Sequence, residues 1–164
     1  MLKIVEKLED LRFRQLMDVY AESVLDNGQE HYPRLSENLQ ILEAEQDFYQ
    51  YLRDCFFATE GAFYALWIQD DTYVSALRLE PYEDGLLLEA LETGPDHRQR
   101  NYAKALIREV LHYVGDTKVY SHVHKKNIPS LRTHEACGFY RILEYARYID
   151  GSFRENSCTF CSKQ

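Results

Sequence analysis

No stretch of this 164-residue chain stays apolar long enough to cross a bilayer. The longest, residues 61–68, falls far short of the roughly 20 residues that a spanning helix needs. The segment MLKIVEKLED at the N-terminus interleaves charges of both signs and lacks the apolar centre of a signal peptide, so a cytoplasmic location is expected. Basic charge is scarce as well. The 19 Lys and Arg against 27 Asp and Glu leave a net charge of −8, a poor surface for nucleic acid. Neither nucleic acid nor a membrane is therefore expected as a partner. Cys55, Cys137, Cys158 and Cys161 show no spacing that demands a disulfide framework, and the single CxxC at 158–161 lacks the two further ligands a zinc site would need. Its flanks read as a strand, where positions three apart face opposite sides. Reduced thiols and no metal are the expectation.

Internal repeats, low-complexity tracts and linkers are also missing, which leaves one domain, 1–164, with a normal soluble balance of 45% hydrophobic and 28% charged residues. A first strand is expected at 3–6 and a helix at 10–24, with Phe13, Leu16, Met17, Tyr20 and Val24 at helical spacing. Asp26-Asn27-Gly28 reads as a turn. Ser36 is a candidate N-cap for a second helix, whose apolar stripe runs from Leu39 to Phe56. Aromatic and β-branched runs at 62–68 and 72–80 flank Gln69-Asp70-Asp71 as a hairpin, and 86–93 is a third strand. A helix at 102–114 closed by Gly115, a strand at 118–124, a short helix at 129–137 and two strands about Asp150-Gly151 complete the chain. Hairpins and helical crossovers in one chain predict an α/β (α+β mixed) fold: a mostly antiparallel central sheet with helices on both faces.

The chemistry is concentrated in LLLEALETGPDHRQRNYAKAL, residues 86–106. A strand ends at Thr93, turns through Gly94-Pro95 and enters a helix across Arg98-Gln99-Arg100-Asn101-Tyr102-Ala103. The first N–H groups of a helix have no intrahelical partners and lie at the positive end of its dipole, so this junction is an anion site. Arg98, Arg100 and Lys104 sit where basic residues oppose the dipole unless an anion binds.

Arg98-x-x-Asn101-x-Ala103, with Pro95 just upstream, resembles the Q/R-x-x-G-x-G/A loop with which GCN5-related N-acetyltransferases (GNAT) cradle the CoA pyrophosphate. Glu89-x-Leu91-x-Thr93-x-Pro95 is similar to the strand before that loop. Asn127-x-x-Ser130 followed by Glu135-Ala136-Cys137-Gly138-Phe139 resembles the family's second signature. The resemblance covers residues 63–139 well and implies acetyl-CoA as co-substrate, an amine acceptor and no metal. It implies cofactor contacts from Leu91, Thr93, Arg98, Gln99, Arg100, Asn101, Tyr102, Ala103, Lys104, Asn127 and Ser130. It leaves the oligomeric state open, a homodimer included. Two positions depart from the pattern. Asn101 replaces the first loop glycine, and His134 stands where the family commonly places a tyrosine that protonates the departing thiolate.

Acetyl transfer needs a neutral amine, and deprotonating a lysine-like amine at neutral pH costs roughly 4–5 kcal/mol. Glu89, ranked first, and Glu92 are the candidate bases; the plainer alternative for Glu89 is an exposed strand glutamate or a salt-bridge partner. His134 is a candidate general acid or else a packed helix residue. Backbone N–H groups of Leu91 or Thr93 would serve the oxyanion, by family analogy, where a bulge splays the strand. His122 and His124 share one strand face, the spacing of a metal pair, but no third ligand is near, so an exposed strand end is expected. Tyr20, His31, Tyr32 and Tyr82 are candidates for the acceptor site. Against the transferase stand a non-catalytic acyl-CoA-binding module of the same fold and a mixed α/β interaction protein that binds no CoA.

Overall fold

The computed structural model describes residues 1–162. Its centre is a seven-stranded sheet built from β1 (Leu2–Val5), β2 (Phe63–Gln69), β3 (Thr72–Tyr82), β4 (Gly85–Thr93), β5 (Val119–His124), β6 (Tyr140–Leu143) and, after the two-residue ladder of β7 (Ala146–Arg147) with β8 (Phe153–Arg154), β9 (Ser157–Cys161). The strand order is β1-β2-β3-β4-β5-β9-β6, and every neighbour pair is antiparallel except β4 with β5. That one parallel pair requires a crossover, which α4 (Tyr102–Val114) supplies. The expected mixed, mostly antiparallel sheet is observed.

Helices cover both faces, so β2 and β3 are buried on both sides and their side chains divide between two cores. Tyr64, Leu66 and Ala76 join Leu16, Met17, Val24, Ala44 and Leu52 from α1 (Phe13–Val19), α2 (Ala21–His31) and the α3 region (Glu37–Tyr51 and the turn after it). Ala65, Leu77 and Leu79 meet Leu106, Ile107 and Val110 of α4 and Leu131 of α5 (Ile128–Ala136) on the other face. Each fully buried Leu or Ile removes about 1.5–3 kcal/mol of apolar exposure. Among the described residues no helix is long and apolar enough to cross a membrane.

Several elements differ from the sequence reading. The two strands expected about Asp150-Gly151 are each interrupted, giving β6 and β7 before the turn and β8 and β9 after it. The helix expected at 10–24 is two helices, broken at Tyr20 (φ −94°, ψ 16°), whose hydroxyl donates to the Ala90 carbonyl at 2.8 Å and ties the break to β4. Gly28 is no turn but lies inside α2, because α3 crosses there so closely that a Cβ would sit 2.5 Å from the Gln40 carbonyl oxygen. The helix expected to run to Phe56 widens after Tyr51 into a π turn over Leu52–Phe56, a distortion frequent at functional sites.

Helix propensity alone favours Gly28→Ala by roughly 1 kcal/mol, whereas overpacking against backbone costs about 1–3 kcal/mol. The clash wins. Gly28→Ala is expected to lower Tm in calorimetry, by roughly 2–4 °C per kcal/mol lost; a raised Tm would show that α2 and α3 separate freely.

Candidate functional site

The site begins where β4 leaves its neighbours. Against β3, Arg78 faces Glu89 and Ala76 faces Glu92, so Ala90 and Leu91 together oppose Leu77 in a β-bulge. Ala90 takes φ +50°, a left-handed value uncommon for a residue with a Cβ. Against β5, β4 pairs only through Leu86–Leu88 with Val119–Ser121. Beyond that third rung the two strands part, and the edge of residues 89–93 is left without a β5 partner.

After Thr93 come a 3-10 turn (Pro95–His97) and an extended Arg98, then α4. Gln99 and Asn101 both have φ 61°, and Asn101 is the N-cap of α4 without a side-chain capping bond. Asparagine adopts this conformation more readily than most residues, which is how the loop keeps a glycine-like turn. A cavity of about 270 Å³ lies here, lined by Thr93, Arg98, Gln99, Asn101, Tyr102, Ala103 and Lys104. Thr93, Arg98, Ala103, Pro129 and Thr133 also line an adjoining space of about 430 Å³, which Leu91, Glu92, Asn127 and Ser130 complete. The two form one groove between the end of β4 and the starts of α4 and α5. Asn127 caps α5 by accepting from the Ser130 N–H at 3.1 Å. Of the residues named from sequence for a cofactor, all but Arg100 line this groove; Arg100 is exposed. Arg98 is already paired, with Glu22 of α2 at 2.6 Å, and donates to the Thr93 carbonyl.

The two candidate bases face the other side of the sheet. Glu92 accepts a hydrogen bond from Ser23, and burial raises its pKa against the lowering effect of that bond and of Arg98. It lines both the groove and a cavity of about 410 Å³ bounded by Tyr20, Ser23, Phe48, Tyr51 and Arg78. Glu89 pairs with the guanidinium of Arg78 at 3.3 Å and lines a larger cavity of about 830 Å³, which shares Tyr51 and Arg78 with the smaller one. Arg78 lies half-buried over the rings of Tyr51 and Phe56, and Tyr64, Tyr51, Glu89 and Tyr20 hold it charged against its desolvation. Glu80 stands beside Glu89; burial, the hydrogen bond between the two carboxyls and the negative charge of Glu89 push its pKa up to about 7.

His134 is not brought to either opening. It is 1% exposed, its Nδ1 lies 2.8 Å from the Ser130 carbonyl, and its ring is packed against Phe139 and Phe160. Burial lowers its pKa, so it is neutral at pH 7 with the Nδ1 proton donated to Ser130. His122 was expected at an exposed strand end but is half-buried in the larger cavity, because the segment around Tyr148 folds over β5. Of the four acceptor-site candidates, Tyr20 lines the smaller cavity, Tyr82 packs edge-on to His122, His31 is exposed and Tyr32 bonds to Asp47. Arg78, Glu80, Ser23 and Tyr51 were missed. The signal for the first two was present: charges at alternate positions of an otherwise apolar strand, SALRLEP.

The family model described as Acetyltransferase (GNAT) family matches residues 18–139. No curated protein matches the sequence. Among solved structures, the PaiA N-acetyltransferase of Thermoplasma acidophilum in complex with coenzyme A superposes with TM-score 0.64 at 16% identity, covering 100% of this chain and 99% of that one. The ribosomal-protein-S18-alanine N-acetyltransferase of Escherichia coli gives TM-score 0.56 at 17% identity over 99% of this chain and 93% of that one. A protein of Bacillus anthracis described as a candidate streptothricin acetyltransferase, in complex with acetyl coenzyme A, gives 0.53 at 10% identity over 66% of each chain. At these identities the likeness is one of fold.

A carboxyl whose pKa is higher folded than unfolded binds more protons in the native state, so its contribution to stability falls as pH rises between the two values. For Glu80 that window runs from its ordinary value of 4.5 to about 7. Glu80→Gln is therefore expected to raise Tm relative to wild type at pH 8 and to lose the advantage near pH 4.5, in paired thermal melts. Parallel curves across that range would show that Glu80 carries no such burden.

Proposed function

The chain belongs to the GNAT acetyltransferase family, and from that premise we propose that it transfers the acetyl group of acetyl-CoA to a primary amine of a small molecule or peptide by direct attack in a ternary complex. The observation that carries this reading is the parting of β4 from β5 after Leu88 and Ser121, directly above a helix start whose loop is turned by two left-handed residues. An extended amide-bearing arm fits such an unpaired strand edge as an added strand would, and a diphosphate fits the helix start. The chain is read as one catalytic domain.

In this reading the amides of Leu91 and Thr93 hold the pantetheine arm and the thioester carbonyl, and the loop from Arg98 to Lys104 holds the pyrophosphate. Asn127 and Ser130, at the start of α5, border the arm. Arg98 exchanges Glu22 for phosphate, an exposed pair of the kind worth only about 0–1 kcal/mol. The acceptor enters from the opposite face, through the cavities that share Tyr51 and Arg78. Glu92 lines both the cofactor groove and the smaller of these cavities, so its carboxylate lies between the two substrates and orients the incoming ammonium. Once the ammonium has given one proton to a base, its nitrogen attacks the thioester carbonyl, the developing oxyanion is met by backbone N–H groups, and the C–S bond breaks. His134 has no part in protonating sulfur here. Its one proton at neutral pH is donated to the Ser130 carbonyl, and the departing thiolate takes the second proton of the attacking nitrogen.

Wild-type protein is expected to bind acetyl-CoA saturably in calorimetry and to release free thiol with at least one member of a primary-amine panel. Arg98→Ala combined with Arg100→Ala is expected to weaken acetyl-CoA binding at least tenfold. Binding without thiol release from any amine would favour a non-catalytic acyl-CoA module; no binding would overturn the reading.

A further inference from the structure

The last paired rung of β4 and β5 joins Leu88 to Ser121, so the next residues, Glu89 and His122, stand on either side of the apex where the strands part. Leu88 points into the core under α4. By strand alternation Glu89 and His122 point the opposite way, and both line the cavity of about 830 Å³. The surroundings of the two differ sharply. Glu89 is engaged by Arg78 and by the carboxyl of Glu80. His122 has neither ring nitrogen hydrogen-bonded, although both are shut off from bulk solvent. Its ring is held edge-on between Tyr82, with centroids 5.5 Å apart, and Tyr148, at 4.9 Å. A buried polar side chain without partners costs free energy unless a ligand or water completes it.

We propose that His122 is a catalytic residue of the acetyl transfer, the base that takes the proton of the acceptor ammonium at the apex between β4 and β5. This rests on the transferase reading above. An imidazole nitrogen accepts one proton from the ammonium, directly or through one water; the freed nitrogen lone pair attacks the thioester carbonyl. The C–N bond forms, the C–S bond breaks, and the second nitrogen proton leaves with sulfur as CoA thiol. The imidazolium, facing the negative charge of Glu89, then passes its proton to that carboxylate, which releases it to water in the cavity that both line. A base must be neutral before it acts, and desolvation keeps the His122 pKa below its ordinary value of 6.5, opposed by Glu89. The other charged or titratable groups around it are Arg78, Glu80 and Tyr82 of β3, Tyr120 and His124 of its own strand, Tyr51 and Cys55 of the α3 region, and Tyr148, Asp150 and Arg154 across the cavity. Of these, Glu80 is the one whose titration near pH 7 competes for the same part of a pH profile.

The test uses thiol release from acetyl-CoA with the amine of the panel that wild-type protein turns over fastest. His122→Gln is expected to lower kcat at least tenfold, within the range of about 10²–10⁴ typical for a lost general base, with the acetyl-CoA Kd from calorimetry within twofold of wild type. The fall of kcat/KM below pH 6.5 is expected to persist in Glu80→Gln and to vanish in His122→Gln. His122→Ala is expected to regain activity with added imidazole, in proportion to the neutral fraction of that imidazole, a response that lost packing would not give. A His122→Gln protein with wild-type kcat and an unchanged acid limb overturns the role of His122 and leaves the transferase standing. Failure of imidazole to rescue an alanine variant that still binds acetyl-CoA also overturns it. A wild-type protein that does not bind acetyl-CoA overturns both.

Discussion

The parallel pairing of β4 with β5 lasts three rungs and then fails, and the rest of the site follows from that failure. The cause is local. Two residues of β4 oppose one of β3 at Ala90 and Leu91, so the strand bends and twists away from its parallel neighbour. Tyr20 holds the bend from the opposite layer through its bond to the Ala90 carbonyl, so the break between α1 and α2 and the bulge in β4 fix one another. Unpaired backbone groups in a sheet interior are costly, and the fork between β4 and β5 gathers several of them along residues 89–93. A ligand with amides of its own is the natural partner for such an edge.

The second constraint is the charge of Arg78. A guanidinium half-buried over two aromatic rings requires compensation, since an isolated buried charge is far more costly than a paired one. Glu89 supplies it, and Glu80 beside it then retains a proton because two adjacent carboxylates cannot both ionise cheaply. The three side chains form one electrostatic unit that is close to neutral as a whole. The acidity of the chain, −8 overall, is thus not what shapes the interior near the reaction.

Much of this was legible in sequence. The strand–turn–helix junction at residues 86–106 could be read because anion binding at a helix start leaves a residue pattern: a strand ending at Thr93, Gly94-Pro95, then basic residues around Asn101. The extent of α4 was also readable, from the spacing of Leu106, Ile107 and Val110 and the closing Gly115. The position of Gly28 was not. Asp-Asn-Gly is a turn signal in isolation, and only the approach of α3, twelve residues later, makes glycine necessary inside a helix. The surroundings of His122 and His134 were hidden for a related reason. Burial depends on segments distant in the chain, Tyr148 for the first and Phe160 for the second, and a motif carries no record of what folds over it. Glu89 and Glu92, the candidate bases named from the strand motif, do lie on β4, but their engagement with Arg78 and Ser23 is a tertiary fact.

The ion pair between Glu22 and Arg98 has a consequence for the order of events. Glu22 precedes Ser23, which bonds Glu92, so one turn of α2 touches both Arg98 in the loop before α4 and Glu92 on β4. In the proposed reaction a phosphate that captured Arg98 would leave Glu22 without its counter-charge, one residue from Ser23 in the lining of the smaller cavity. An ammonium arriving afterwards meets a stronger field than one arriving first. An exposed pair of this kind carries about 0–1 kcal/mol, so in the proposed reaction the shared arginine would bias the nucleotide-bearing substrate to lead by a few-fold at most, without a moving lid and without making that order compulsory.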